Sequence, residues 1–302
     1  TLAVFTYQQH RNSTTIYRPP QTNSDADIVA LINAAASLNM TVILKPQLLL
    51  ACNALDVPAT CPETTPSGQT NWRGNIGTDP PFTDAQWAAW FASYTAMATH
   101  YAALVAPYQD TVKVFVVGTE LPSTVLHHKE WAAVTATVRH ALPGITTTFA
   151  AVDWKFTQRD WSTFDVIGVD AYFPLFPNTS VDGGCPQVGD FVTAWHTTGY
   201  YDALRNLTTA FNRPLMFTEL GYSASAGCGT DPAHITSKAL TPECQANAYT
   251  ALYQVFCGEP WWKGVQWWSW RAQDQAEPLS RGLDFRGKPA EAVVTAGCAP
   301  FL

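Results

Sequence analysis

The 302-residue sequence predicts an α/β fold, a parallel sheet covered by helices, on two observations. Short β-rich runs alternate with longer helical patterns along the whole chain. The β-rich runs are nearly continuous in apolar residues instead of alternating apolar with polar. Strands buried on both faces read this way, and a crossover helix between successive strands makes them parallel.

In chain order, strands are expected at LAVFTYQQ (from Leu2), TVILKPQLLL (Thr41), TVKVFVVGTEL (Thr111) and TTTFAAVDW (Thr146). They continue at DVIGVDAYF (Asp165), PLMFTELGYS (Pro214) and GVQWWSW (Gly264). Helical patterns fill Asp25–Leu38, Asp84–Val105, Lys129–Leu142, Phe191–Phe211 and Pro242–Phe256. No change of composition marks a linker, so residues 1–302 are expected to form a single domain. Seven strands are one short of the eight that close a barrel. Because Thr1 opens inside a strand, the expectation is a (β/α)8 TIM barrel whose first strand lies before residue 1. Thr1 is also not an initiator Met, so the chain is expected to be processed or cut.

Hydrophobic residues make up 47% and charged residues 14%, the composition of a globular chain. A net charge of −7 with no basic run argues against nucleic acid and anionic membranes as partners. No apolar segment reaches the roughly 20 residues that span a bilayer. Seven cysteines without a C-x-x-C pair point to disulfides, not zinc. Cys52 and Cys61 bracket a Pro-rich loop as a local bridge. An odd number then remains among Cys185, Cys228, Cys244, Cys257 and Cys298, and their pairing is open. Asn12, Asn39, Asn178 and Asn206 begin glycosylation tripeptides. Together these features predict a secreted protein.

In a parallel barrel, functional groups collect at the carboxyl ends of the strands. Those ends offer Lys45 and Gln47, Glu120, Asp170 and Tyr172, Glu219 and Tyr222, and Trp268 and Trp270. Two apolar runs, KVFVVGTELPS and RPLMFTELGYS, break into a glutamate in the same manner. A pair of carboxylates is what glycoside hydrolysis uses, one as acid and base, the other as nucleophile or activator of water. The plainer reading is that each glutamate caps its strand or pairs with an Arg. The twelve Trp divide in the same way, between core filling and stacking platforms for a ligand. His127 and His128 lack metal-ligand spacing and read as solvated residues at a helix start. SAGCG is no nucleophile elbow, DGG reads as a turn, and no phosphate or dinucleotide fingerprint occurs. No metal and no cofactor are expected.

The ordered motifs VGTEL, VDAYF, FTELGY and WWSW are preceded by STTIY (Ser13–Tyr17) and NWRGNI (Asn71–Ile76). This series resembles glycoside hydrolase family 113, over nearly the whole chain from TYQQHRNSTTIY to WWSW. The resemblance implies a retaining β-mannanase on a (β/α)8 barrel, with catalytic glutamates after the fourth and seventh strands and Leu2–Gln9 as the second. It implies Glu120 as acid/base and Glu219 as nucleophile, with Tyr172 hydrogen-bonding the nucleophile and holding it ionised. Trp72 and Arg73 would line the sugar cleft, and Trp268 or Trp270 would form a stacking floor. Asp170 and Tyr222 would complete the substrate site. Lys45 and Gln47 would contact hydroxyls, although Lys45 would serve equally as an ion-pair partner of a barrel carboxylate. Retention requires the two carboxyl groups to stand about 5–5.5 Å apart.

Two features depart from the pattern. Many members of the wider clan carry Asn before the acid/base, where its amide meets the sugar 2-hydroxyl; this chain has Thr119. The segment after KPQ also lacks an expected His or Asp and is elaborated around Cys52 and Cys61. The expected protein is therefore a secreted, monomeric endo-β-1,4-mannanase acting on mannan. The alternatives are another β-glycanase, an exo-β-mannosidase, and a lectin-like barrel without turnover.

Overall fold

The computed structural model describes residues 2–10, 13–19, 23–51, 72–78, 80–177, 184–235, 237, 239–270 and 280–301. The expected Cys52–Cys61 bridge and the acceptors Asn12 and Asn178 lie outside these residues. Contacts divide the chain into two compact units, Thr1–Val166 and Ile167–Leu302.

The first unit runs β1 (Leu2–His10), β2 (Ile16–Tyr17), α1 (Asp25–Ser37), β3 (Val42–Ala51) and α2 (Asp84–Val105). It continues with β4 (Val112–Thr119), α3 (His128–Ala141) and β5 (Thr146–Val152). Its strands lie in the order β2-β1-β3-β4-β5. β1, β3, β4 and β5 are parallel, whereas β2 returns antiparallel, with Tyr17 opposite Gln8. The second unit runs β6 (Ile167–Asp170), α4 (Val188–Thr197), α5 (Tyr200–Phe211), β7 (Leu215–Leu220), α6 (Pro242–Phe256), β8 (Trp262–Trp267) and α7 (Pro289–Ala296). Its strands are parallel in the order β6-β7-β8.

All seven expected strands are present, and α2 and α6 have the expected bounds. The expected helix over Phe191–Phe211 is two helices. Gly199 takes φ +85° at the break, a conformation that costs glycine nothing and stops α4 before α5 begins. The two-residue β2 is too short to show a period, and the eight-residue α7 was not expected.

Local chemistry sets the helix starts. Ser24 and Asp27 form a capping box before α1, and Thr83 and Gln86 form another before α2. α6 begins at Pro242, where a missing N–H leaves no bond unmade. Along α2, Trp90, Tyr94, Met97, Ala98 and Tyr101 recur at helical spacing and are buried. The Tyr94 hydroxyl donates to the Val117 carbonyl at 3.0 Å. Trp90, Tyr94, Trp131 and Phe149 follow one another with ring centroids 4.9–5.1 Å apart. Each such ring removes roughly 200 Å² of apolar surface from water, about 5 kcal/mol at 25 cal/mol per Å². Buried Arg159 lays its guanidinium 3.5 Å from the Phe149 centroid, and burial pushes its pKa down to about 9.

This stack explains Gly118, where the apolar run of β4 breaks. A Cβ there would stand 2.3 Å from the Phe149 ring and 2.8 Å from that of Trp131. In the second unit, the Sγ atoms of Cys257 and Cys298 are at bonding distance, 1.98 Å, joining the end of α6 to the segment after α7. Among the described residues, no helix is long and apolar enough to cross a membrane.

The start of β5 is tied by Asp165. The Thr147 amide and hydroxyl each donate to its Oδ2 at 2.8 Å, and Arg139 reaches the same oxygen at 2.9 Å. Burial alone would raise the Asp165 pKa, but these donors outweigh it and hold the carboxyl below the ordinary range.

One prediction rests on this packing. Gly118→Ala should cost about 1–3 kcal/mol in denaturant unfolding through overpacking. Gly189→Ala, at an α4 position where a Cβ meets nothing within 4 Å, should gain about 0.5 kcal/mol. The second prediction concerns pH. A depressed carboxyl contributes stability above its unfolded pKa and loses it as pH falls through the folded one. Asp165→Asn should therefore lower stability by at most about 1 kcal/mol at pH 7, since the pair is partly exposed, and the gap should close below about pH 4. Equal gaps at pH 7 and pH 3 would contradict this account.

Candidate active site

In the first unit Glu120 lies just beyond the end of β4, whereas Lys45 and Gln47, expected at a strand end, lie within β3. The Glu120 amide still donates to Ala150 on β5 at 2.9 Å, but its φ is +49°. That left-handed turn is uncommon for a residue with a Cβ and directs the side chain off the line of β4. Thr119 is buried, and its hydroxyl donates to the Pro46 carbonyl at 3.0 Å.

The motif NWRGNI supplies the partners of Glu120. Arg73 donates from Nε to the Leu48 carbonyl at 2.8 Å and from Nη1 to Glu120 Oε2 at 2.5 Å. Trp72 Nε1 donates to the same Oε2 at 3.1 Å. Gly74 makes this possible, because a Cβ there would fall 1.9 Å from the Trp72 ring. Trp72 and Arg73, expected as cleft-lining residues, thus act first as the clamp on Glu120. Lys45 and Gln47 are both buried on β3, and Gln47 Nε2 meets no hydrogen-bond acceptor among the described residues.

Sequence reasoning missed Trp154. It follows β5 directly, is 57% exposed, and its ring lies 5.6 Å from that of Trp72. The signal was present, since TTTFAAVDW ends in an aromatic residue at a strand's carboxyl end.

In the second unit, Asp170 at the end of β6 lies in register with Glu219 on β7. Thr218 donates to Asp170 Oδ1 at 2.8 Å, and the Ala171 amide donates to the Glu219 carbonyl at 2.7 Å. The Tyr172 hydroxyl donates to Glu219 Oε1 at 2.7 Å. The Trp268 amide donates to Leu220 at 2.7 Å, bringing the end of β8 so close that a Cβ on Gly221 would meet the Trp268 carbonyl at 2.0 Å. Trp270 is 53% exposed, with its ring 5.5 Å from Phe285. Tyr222, expected to touch substrate, is instead fully buried between Phe191 and Tyr249, because the chain turns inward after Gly221.

Each unit therefore presents one half-buried carboxylate with one oxygen engaged by named donors. A fixed carboxylate of this kind can take or give a proton, or attack an electrophilic carbon, with little reorganisation. Among the described residues, neither unit by itself gathers three His, Cys, Asp or Glu ligand atoms within 4.8 Å of one another. A cavity of about 310 Å³ between α2 and α3, lined by Trp87, Phe91, His127 and Glu130 among others, contains none of the residues nominated from sequence.

The sequence matches the model of Glycoside Hydrolase Family 113 over residues 1–282. Among solved structures, a complex of a GH113 β-1,4-mannanase aligns with a TM-score of 0.76 and 22% identity, covering 98% of this chain and 86% of that one. The GH113 β-mannanase AaManA from Alicyclobacillus acidocaldarius, in complex with ManMIm, aligns at 0.76 and 24% identity, over 99% and 87%. GH5_18 from Streptomyces cattleya, in complex with GlcNAc, aligns at 0.54 and 18% identity, over 92% and 66%. No curated protein matches the chain in sequence. These likenesses show the fold, which is α/β and of the (β/α)8 barrel class.

The burial of Tyr222 yields a prediction. Its hydroxyl has no hydrogen-bond partner among the described residues, so Tyr222→Phe removes an uncompensated polar group. Urea unfolding should show stability unchanged or raised by up to about 1 kcal/mol. A loss of more than about 1 kcal/mol would show that the hydroxyl is bonded in the folded chain.

Proposed function

The chain belongs to glycoside hydrolase family 113, and on that premise we propose that it is an endo-β-1,4-mannanase working with retention through Glu120 and Glu219. The observation that carries the assignment of residues is the pair of carboxylate cradles: Arg73 and Trp72 on Glu120 Oε2, and Tyr172 on Glu219 Oε1. Each cradle fixes a rotamer of its carboxylate.

In the first step Glu219 attacks the anomeric carbon while Glu120 delivers a proton to the departing glycosidic oxygen. The product is a glycosyl ester on Glu219. In the second step Glu120 takes a proton from water, and that water displaces Glu219 from the anomeric carbon. Two inversions give net retention. Neither step requires a metal or a redox group. Exposed Trp154 and Trp270 offer apolar ring faces of the type that stack on pyranoses.

The same proposal takes residues 1–302 as one catalytic domain acting as a monomer on mannan-type polysaccharide, outside the cell. Two observations support secretion. Cys257 and Cys298 stand at disulfide distance, and the acceptors Asn39 and Asn206 are exposed to a glycosylating enzyme.

Incubation with β-1,4-mannan, manno-oligosaccharides, other β-glucans and xylan tests the function. Mid-chain cleavage of mannan is expected, with the β-anomer appearing first by proton NMR. Release of mannose alone from chain ends would indicate an exo-β-mannosidase, cleavage of another polymer a different β-glycanase, and binding without turnover a lectin. Glu120→Gln should lower kcat about 10²–10⁴-fold on mannan. With azide and an activated aryl mannoside, Glu219→Ala should yield an α-mannosyl azide and Glu120→Ala a β-mannosyl azide. The opposite stereochemistry would exchange the two roles. Tyr172→Phe should retain the fold and lower kcat about tenfold through loss of a fixed nucleophile rotamer.

A further inference from the structure

Three cysteines that the hydrolase chemistry does not use meet beside the segments that carry its second carboxylate. Cys228 lies in the segment between β7 and α6, Cys244 in the first turn of α6, and Cys185 in the segment between β6 and α4. Cys228 and Cys244 are fully buried, with their Sγ atoms 3.1 Å apart. Cys185 is half-buried, shares a hydrogen bond with Cys244, and is held by Asn247, whose Nδ2 lies 3.6 Å from its Sγ and 2.9 Å from the Pro186 carbonyl.

The backbone on either side of these sulfurs is already joined. The Leu175 and Phe176 amides donate to the Gly229 carbonyl at 2.8 and 3.1 Å, one residue past Cys228. The Gly227 amide donates to Gly184, one residue before Cys185, at 3.3 Å. The two segments that follow Tyr172 and Glu219 are therefore stitched together where their cysteines meet α6.

We propose that Cys185, Cys228 and Cys244 form one thiol–disulfide exchange site, with Cys228–Cys244 as its resting bond and Cys185 as its port to solvent. The co-reactant is a low-molecular-weight disulfide. The half-exposed Cys185 thiolate attacks one sulfur of that disulfide, releasing one small thiolate and leaving a mixed disulfide on Cys185. Cys244 then attacks the Cys185 sulfur and expels the second small thiolate, giving Cys185–Cys244. Cys228 gives up its proton and attacks Cys244, expelling Cys185 as the thiolate. In the net reaction two protein thiols become one disulfide, and one small disulfide becomes two small thiols.

The hub position of Cys244 has electrostatic support. The Cys228 hydrogen bond pulls its pKa down to about 7, and the start of a 15-residue helix favours a thiolate there. Burial pushes Cys185 up to about 12, which makes entry the slow step.

The test uses the full chain, reduced, then equilibrated with oxidised glutathione, quenched in acid, alkylated, digested without reduction and mapped by mass spectrometry. The expected map links Cys228 to Cys244 and shows Cys185 alkylated. In Cys228→Ser the link should move to Cys185–Cys244. Cys185→Ser should retain Cys228–Cys244 at equilibrium but form it at least about tenfold more slowly. Cys228 and Cys244 both alkylated in the wild type would overturn the resting bond. An unchanged rate in Cys185→Ser would overturn the port. Because Cys228 is buried, a circular dichroism spectrum accompanies that variant; if it unfolds, the wild-type map and the Cys185→Ser rate decide alone. None of these readouts depends on glycan cleavage.

Discussion

The Glu120 carboxylate is half-buried at the end of an apolar strand, and a charge in that position must be hydrogen-bonded or it destabilises the fold. Much of the first unit answers that demand. Arg73 meets the carboxylate and, through the same guanidinium, the Leu48 carbonyl of β3, so one side chain joins two strands and a loop. Guanidinium suits this double duty because its donors are spread around a rigid plane. Trp72 adds a neutral donor to the same oxygen, and Gly74 yields the space its ring needs. Behind them, Phe149 and Trp131 press on Gly118 and fix where β4 ends.

In the second unit, neutral groups are among the donors to the carboxylates. Glu219 takes its hydrogen bond from a phenol, and neighbouring Asp170 takes one from the Thr218 hydroxyl. The register of β6 against β7 aligns Asp170 with Glu219, and Tyr172 reaches Glu219 from two residues past the end of β6. A site built on strands in this way holds its geometry more tightly than one carried on loops.

Much of this was legible in sequence because it follows from period and punctuation. Uninterrupted apolar runs marked the buried strands. Glu120 and Glu219 stood out because a carboxylate does not belong at the end of such a run without a purpose. Less legible was anything set by where side chains turn. Tyr222 looked like a site residue from its place after β7, yet the inward turn after Gly221 puts its ring in the core. Trp154 was not singled out among the twelve Trp, yet it is 57% exposed. The break at Gly199 needs a positive φ, which GYY does not announce within a helical pattern. The relation of Arg73 to Glu120 spans 47 positions, and no local pattern encodes it.

Thr119 has a consequence for selectivity. Its hydroxyl proton is engaged by the Pro46 carbonyl, a backbone acceptor that cannot move away without disturbing β3. A donor committed to its own scaffold does not grade the configuration of a ligand carbon. In a family 113 hydrolase with this residue, any donor to the hydroxyl beside the anomeric centre must come from other side chains. Epimer preference and catalytic power are then separable traits, open to change independently of each other.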